Sequence, residues 1–223
     1  MKIILFGASG MVGQGVLREC LAAQDVDEVL VVGRSALGMK HPKLREVVHR
    51  DFFDYASIEP QLLGYDACFF CLGVSAAGMD EATYTRLTYE LTLAAAGTLA
   101  RLNPAMVFVY VSGAGTDSTE QGRSMWARVK GRTENALLRL PFRAVYLFRP
   151  GFIEAVHGER SKTAMSRVVY AATRPLMPLL RALFARHMLS TVTIGRAMLA
   201  VARAGGPGAV LEIADIGLAA RQA

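Results

Sequence analysis

The chain predicts a doubly wound α/β fold: a mostly parallel sheet with helices on both faces and a small helical C-terminal extension. Three observations carry this. Short apolar runs alternate with helix-like stretches along most of the 223 residues. Several of those runs, such as Val29-Leu-Val-Val32 and Met106-Val-Phe-Val-Tyr-Val111, are apolar almost without interruption, as strands covered on both faces require. A glycine turn, Gly7-Ala-Ser-Gly10-Met-Val-Gly13, follows the first run, Lys2-Ile-Ile-Leu-Phe6, and opens an amphipathic stretch.

The elements follow in order. Strands are expected at 2–6, 28–32, 45–48, 66–71, 105–111, 143–148 and 209–213. Helices fit at 11–23, about 57–62, 80–102, 122–139, about 161–186 with breaks, and 190–204. Pro104 stops the long helix ending near Leu102, and Gly205-Gly206-Pro207 stops the last one. Pro175 and Pro178 break or kink the 161–186 stretch. The length suits one domain over 1–223, with 149–190 as a helical insertion on the substrate or partner side.

The glycine turn points to a dinucleotide. A loop without side chains lets backbone N–H groups approach a pyrophosphate, and the following helix offers its positive dipole end to the same anion. Gly7, Ser9, Gly10, Met11, Val12 and Gly13 are the candidate contacts. The spacing is G-x-x-G-x-x-G, not the usual G-x-G-x-x-G, so the strand–turn–helix context carries the assignment.

Composition excludes several classes. Hydrophobic residues make up 52%, yet no run nears the roughly 18 apolar residues of a spanning helix. Met1-Lys2 leads straight into a strand without a signal-peptide pattern, so a cytoplasmic protein is expected. Cys20, Cys68 and Cys71 form no disulfide framework. Cys68 and Cys71 sit three apart on one strand and point to opposite faces, against a redox pair. His41, His49, His157 and His187 lack ligand spacing, so no metal is expected.

The net charge of +6 is unevenly placed. Between Glu159 and Glu212 lie Arg160, Lys162, Arg167, Arg174, Arg181, Arg186, Arg196 and Arg203 without an acid. Arg160, Arg167, Arg174 and Arg181 recur every seven residues and would share one face of an unbroken helix. Two readings stay open: a solvated face, or a surface over 160–203 for an acidic partner or an anionic membrane. Aromatic residues are too sparse there for nucleic acid.

At the strand ends the chain resembles the short-chain dehydrogenase/reductase superfamily, in its atypical or extended, epimerase-like form, and most of all its Tat-interacting-protein branch. The resemblance rests on the glycine turn, Val32-Gly-Arg-Ser35, Arg50-Asp-Phe52, Cys71-Leu-Gly73, Val111-Ser112, Val129-Lys-Gly131 and Arg149-Pro-Gly151. It covers most of residues 1–155 and is less distinct in the C-terminal third.

The resemblance implies a nicotinamide cofactor, and the second strand bears on which one. NAD-binding folds usually place an acid there for the ribose 2′-hydroxyl. Here Arg34 and Ser35 follow the strand, and a guanidinium suits a 2′-phosphate, so NADP(H) is expected ahead of NAD(H). By resemblance Asp51 bonds the adenine amino group, or else caps a turn, and Phe52 packs on the ring. Leu72, Gly73 and Val74 line the ribose and pyrophosphate. Pro150, Gly151 and Phe152, after the sixth strand, are by the same resemblance cofactor contacts as well.

The family's catalytic set is Ser, Tyr and Lys, with Tyr-x-x-x-Lys on the helix after the fifth strand. Ser112 and Lys130 match, but residue 126 is Trp. An indole N–H donates a hydrogen bond yet does not ionise near neutral pH, so it cannot serve as general acid or base. Tyr84, Tyr89, Asp80, Glu81, Thr116 and Asp117 are the substitutes the sequence offers, though such residues are more often caps or solvated loop residues than catalysts. The functional expectation is an NADP(H)-binding oxidoreductase-like or epimerase-like protein with an unknown small-molecule substrate. The alternatives are a non-catalytic NADP(H)-binding redox sensor and a regulatory or assembly scaffold acting through a protein or membrane partner.

Overall fold

The computed structural model describes residues 1–156, Gly158 and residues 188–223. The chain runs β1 (Lys2–Phe6), α1 (Met11–Ala22), β2 (Glu28–Gly33), β3 (Leu44–Val48), a 3-10 turn (Ala56–Gln61), β4 (Ala67–Phe70) and α2 (Glu81–Thr85). A π turn (Arg86–Glu90), α3 (Leu91–Leu102), β5 (Val107–Val111), α4 (Met125–Leu137) and β6 (Ala144–Phe148) follow. The C-terminal part holds β7 (Phe152–Glu154), β8 (Met188–Ser190), α5 (Thr191–Ala204), β9 (Val210–Leu211) and α6 (Ile213–Ala219).

Seven strands form one sheet in the order β3-β2-β1-β4-β5-β6-β9, and every pair is parallel. The strand direction of winding reverses between β1 and β4, which opens a crevice over their C-terminal ends. Alternation along each strand divides the core. Ile3, Leu5, Val29, Val31 and Phe69 face α1, α5 and α6. Ile4, Phe6, Leu30, Val32, Cys68 and Phe70 face α3, α4 and the 3-10 turn. Cys68 lies in the second cluster and Cys71 against the first, and both are free thiols.

Two close approaches seat α1 against α5. A Cβ on Gly15 would lie 2.5 Å from the Thr191 Cβ, and one on Gly195 would lie 2.8 Å from the Glu19 side chain. Neither glycine is explained by the sequence alone. Arg196 pairs with Glu19 at 3.1 Å and Arg203 with Asp25. These two arginines of the basic stretch are therefore matched by acids of α1 and the turn after it.

The predicted strands are all present within a residue or two, the last being the shortest. Where 209–213 reads as a strand, Val210–Leu211 is one, and Glu212 caps α6 through a reciprocal capping box with Asp215. The long helix read over 80–102 is interrupted by the π turn, whose extra residue per turn leaves no trace in the hydrophobic period. The expected 149–190 insertion begins and ends in a parallel pair, β7 with β8, matching Phe152 to Met188 and Glu154 to Ser190. The helices expected at 161–186, the seven-residue arginine repeat from Arg160 to Arg181, His157 and His187 lie outside the described residues. No helix of the described residues is long and apolar enough to cross a membrane.

Candidate functional site

The site is built where parallel strands end together. β1 is followed by Gly7, whose φ is +79°, a left-handed conformation that disfavours a side chain. A Cβ at Gly7 would meet the Cys71 carbonyl carbon at 2.6 Å and the Leu72 nitrogen at 2.7 Å. One at Gly13 would reach the Gly7 carbonyl oxygen at 2.1 Å. The loop is thus pressed between the end of β4 and its own helix. Gly10 N–H donates to the Gly7 carbonyl at 2.9 Å, closing the turn, and Gly10 caps α1. That cap offers no side-chain acceptor, and the first turn of α1 has no acid. The helix N-terminus therefore keeps backbone donors and its positive end for an anion, which fits the pyrophosphate of a dinucleotide. Ser9, Met11 and Val12 are partly exposed along this lip.

Arg34 and Ser35 stand exposed just past β2, and Arg34 has no ion-pair partner among the described residues. The Glu46 carboxylate, from β3, accepts from the Leu37 N–H at 2.6 Å and shapes the loop that follows Arg34 and Ser35. Asp51 is exposed and accepts from the Phe53 N–H at 2.9 Å, so it holds a turn. Phe52 differs from expectation. Its ring is buried against Phe6, His49 and Tyr55, with centroids 6.1–6.3 Å away, and is turned into the core. The turn that Asp51 holds leaves its own carboxylate outside and directs the next side chain inward, so the Phe52 ring is not presented to a ligand. Leu72, Gly73 and Val74 lie partly or fully exposed after β4.

At the end of β5, Ser112 is 6% exposed and held on several sides. Its N–H donates to the Phe148 carbonyl at 2.9 Å. Its hydroxyl lies 3.1 Å from that same oxygen and donates to the Glu134 carboxylate at 2.6 Å. Lys130, on α4, donates from its ammonium to the Ser112 carbonyl. Burial pushes the Lys130 ammonium down to about 8, while the nearby Glu134 carboxylate pulls the other way. Trp126 is half-buried one turn earlier, its ring 3.5 Å from where a Gly115 Cβ would stand. The indole covers the 113–118 loop. That loop rests on α4 because residue 131 is glycine: a Cβ there would collide with the Asp117 carbonyl at 1.7 Å. Pro150 is buried and its carbonyl accepts from the Ala114 N–H at 2.8 Å, while Gly151 and Phe152 lead into β7.

The other candidates have local duties. Asp80 caps α2 by accepting from the Thr83 N–H at 2.8 Å, and Glu81 pairs with Arg128 at 2.6 Å. Thr116 donates to the Gly113 carbonyl at 2.7 Å, and Asp117 gathers the N–H groups of Thr119 and Gly122. Tyr89 lies under the Arg132 guanidinium at 4.4 Å. Tyr84 is 1% exposed, and burial raises its hydroxyl above the ordinary tyrosine range. No group of three His, Cys, Asp or Glu is placed to hold a metal among the described residues.

Sequence reasoning missed Glu134 and saw in Arg149 only a motif letter. Glu134 is four residues after Lys130, a spacing that places both on one face of α4. Arg149 reaches it only because β5 and β6 are neighbours.

A parallel sheet in this order, with its crevice at the switch point, is a Rossmann-like fold, the fold of solved short-chain dehydrogenase/reductase and epimerase structures. A Bordetella bronchiseptica enzyme solved with NAD+, WbmF, superposes with a TM-score of 0.69 at 18% identity, over 99% of this chain and 76% of that one. No family model matches the chain. In sequence it is similar to protein FMP52-2, mitochondrial, of Scheffersomyces stipitis, at 29% identity over 161 residues, 71% of this chain and 67% of that protein. The Rattus norvegicus protein HTATIP2 is 26% identical over 155 residues, 68% of this chain and 62% of its own length. The chain is thus similar in sequence to HTATIP2 and FMP52 proteins, and in fold to solved short-chain dehydrogenase/reductase and epimerase structures. The expected cytoplasmic location is corrected: FMP52 relatives from several fungi are named mitochondrial. A secretory signal reports on export, and a mitochondrial address is a separate signal.

Proposed function

We propose that the chain binds NADP(H) over the β1–β4 crevice and is an oxidoreductase-like protein in which Trp126 stands at the usual tyrosine position. The carrying observation is the side-chain-free cradle of Gly7, Gly10 and Gly13 at the bare N-terminus of α1, with the exposed cation Arg34 at the next strand end. Gly7, Ser9, Gly10, Met11, Val12 and Gly13 would hold the pyrophosphate, and Arg34 and Ser35 the 2′-phosphate. Asp51 and Leu72 to Val74 would line the adenosine side, and Lys130 the nicotinamide ribose. The nicotinamide would supply hydride transfer when bound. The relatives' names support a mitochondrial location. Titration calorimetry with NADPH and NADH tests the reading. Tighter binding of NADPH is expected, and equal affinities or stronger NADH overturn the assignment. Any share of affinity that depends on the Lys130 charge should be lost as pH rises through about 8.

A second reading, a cofactor-binding protein with little turnover, is favoured by Ser112. A hydroxyl has one proton, and that of Ser112 is committed to Glu134. With no ionisable group at position 126 and no spare serine proton, low reduction of generic aldehydes and ketones is expected. Trp126→Tyr should raise NADPH oxidation by less than about 10²-fold, the low end for general acid catalysis, because the serine partner stays turned inward. Vigorous turnover by the parent protein, insensitive to changes at Ser112 and Lys130, would show that the chemistry lies elsewhere.

A further inference from the structure

Beneath the end of β5 lies a charged cluster that the family resemblance does not assign. The Glu134 carboxylate is 1% exposed. A buried carboxylate alone is costly, and a partner with fork geometry offsets that cost. Arg149, from the end of β6, supplies it: Nε lies 3.1 Å from Oε1 and Nη2 donates to Oε2. The same guanidinium reaches the Ser118 hydroxyl at 2.5 Å and the Glu212 carboxylate at 3.2 Å. Glu212 is the cap of α6 and Ser118 lies in the loop over α4. Arg149 therefore joins the ends of β5 and β6, helix α4, the 113–118 loop and the C-terminal helix.

The cluster acts on Lys130 in two ways. Glu134 grips the Ser112 hydroxyl, and Ser112 is the residue whose carbonyl carries the Lys130 ammonium. Glu134 is also a charge on the same face of the same helix. Charges alternate outward as Lys130, Glu134, Arg149 and Glu212, so each buried group has an opposite neighbour. Asp117, in the loop packed on α4, is turned to Thr119 and Gly122. Tyr110, on β5, is buried, which keeps its hydroxyl neutral.

We propose that Glu134 and Arg149 are positioning residues, a buried ion pair that fixes the Ser112 peptide under Lys130 and sets the charge Lys130 presents to a cofactor. The role in cofactor binding rests on the NADP(H) reading above; the electrostatic role does not. Glu134 supports the Lys130 cation, and Arg149 tempers Glu134. The two changes Glu134→Gln and Arg149→Met should therefore move Lys130 in opposite directions. General loosening of the fold would move both the same way, toward an ordinary lysine.

The test is the Lys130 titration in cofactor-free protein, read by carbon NMR of lysine-labelled chain, with the resonance assigned by its loss in Lys130→Met. The midpoint should fall in Glu134→Gln and rise in Arg149→Met. Glu134→Asp keeps the charge and shortens the reach, and should restore most of the parent midpoint. Shifts of one sign in both variants, or none, overturn the proposal. Should either variant fail to fold, the parent protein still decides: the Glu134 carboxyl resonance should show a second inflection at the Lys130 midpoint, as coupled sites do. Its absence overturns the proposal. NADPH titration of the folded variants then separates the two ideas. Opposite Lys130 shifts with unchanged NADPH affinity would leave the ion pair in place and remove Lys130 from the cofactor site.

Discussion

Replacing Gly13 by alanine is expected to abolish measurable dinucleotide binding while leaving a folded but less stable protein. The new Cβ would stand 2.1 Å from the Gly7 carbonyl oxygen and 2.9 Å from the Ala8 Cα. Both obstacles are backbone, so no rotamer change relieves them, and α1 must shift from the end of β1. Forced overpacking of this kind typically costs about 1–3 kcal/mol. The larger effect falls on binding, because the donors at the α1 N-terminus are aimed by that contact. A loss of NADPH affinity of more than about 100-fold is expected, since hydrogen bonds to a charged group contribute about 1.5–3 kcal/mol each. Gly97→Ala is the control. Gly97 is exposed in α3, with nothing within 4 Å of an added Cβ, and alanine there should stabilise by about 0.5–1 kcal/mol. Calorimetry for binding and thermal melts for stability read both variants. Parent-like NADPH affinity in Gly13→Ala would mean that the cradle is not the phosphate site.

Arg34→Asp should cancel the proposed preference for NADP(H). In the parent, the guanidinium is exposed at the end of β2 without a competing partner among the described residues, free to grip a 2′-phosphate. The substitution removes a charge-assisted contact of about 1.5–3 kcal/mol and puts a like charge in its place. NADPH affinity should fall by about 100-fold, whereas NADH, whose 2′-hydroxyl can donate to the new carboxylate, should change little or improve. The ratio of the two affinities is the quantity to measure. An unchanged ratio would place the selectivity at another strand end.

The strands and most helices were legible because they rest on local pattern. Apolar runs flanked by glycine, proline and polar turns mark β1 to β6, and the reversal at the glycine turn fixes where the strand ends gather. The π turn was hidden because one added residue barely disturbs a helical hydrophobic period. The Phe52 ring was misplaced because the resemblance gave the position a role, while the turn after β3 directs the side chain into the aromatic cluster of Phe6, His49 and Tyr55.

The sequence by itself determined the parallel α/β architecture, the glycine turn at its switch point and an indole, which does not ionise near neutral pH, at position 126. Each depends on residue type at short spacing, and short-range geometry is set by backbone sterics and hydrophobic period. Only the tertiary structure decided that Ser112 spends its proton on Glu134, that Arg149 closes a buried ion pair with Glu134, and that Gly15 and Gly195 exist to seat α1 on α5. Those pairs join residues 15 to 180 positions apart in rough terms, and their meeting follows from which strands lie side by side, a choice made by the packing of the whole sheet.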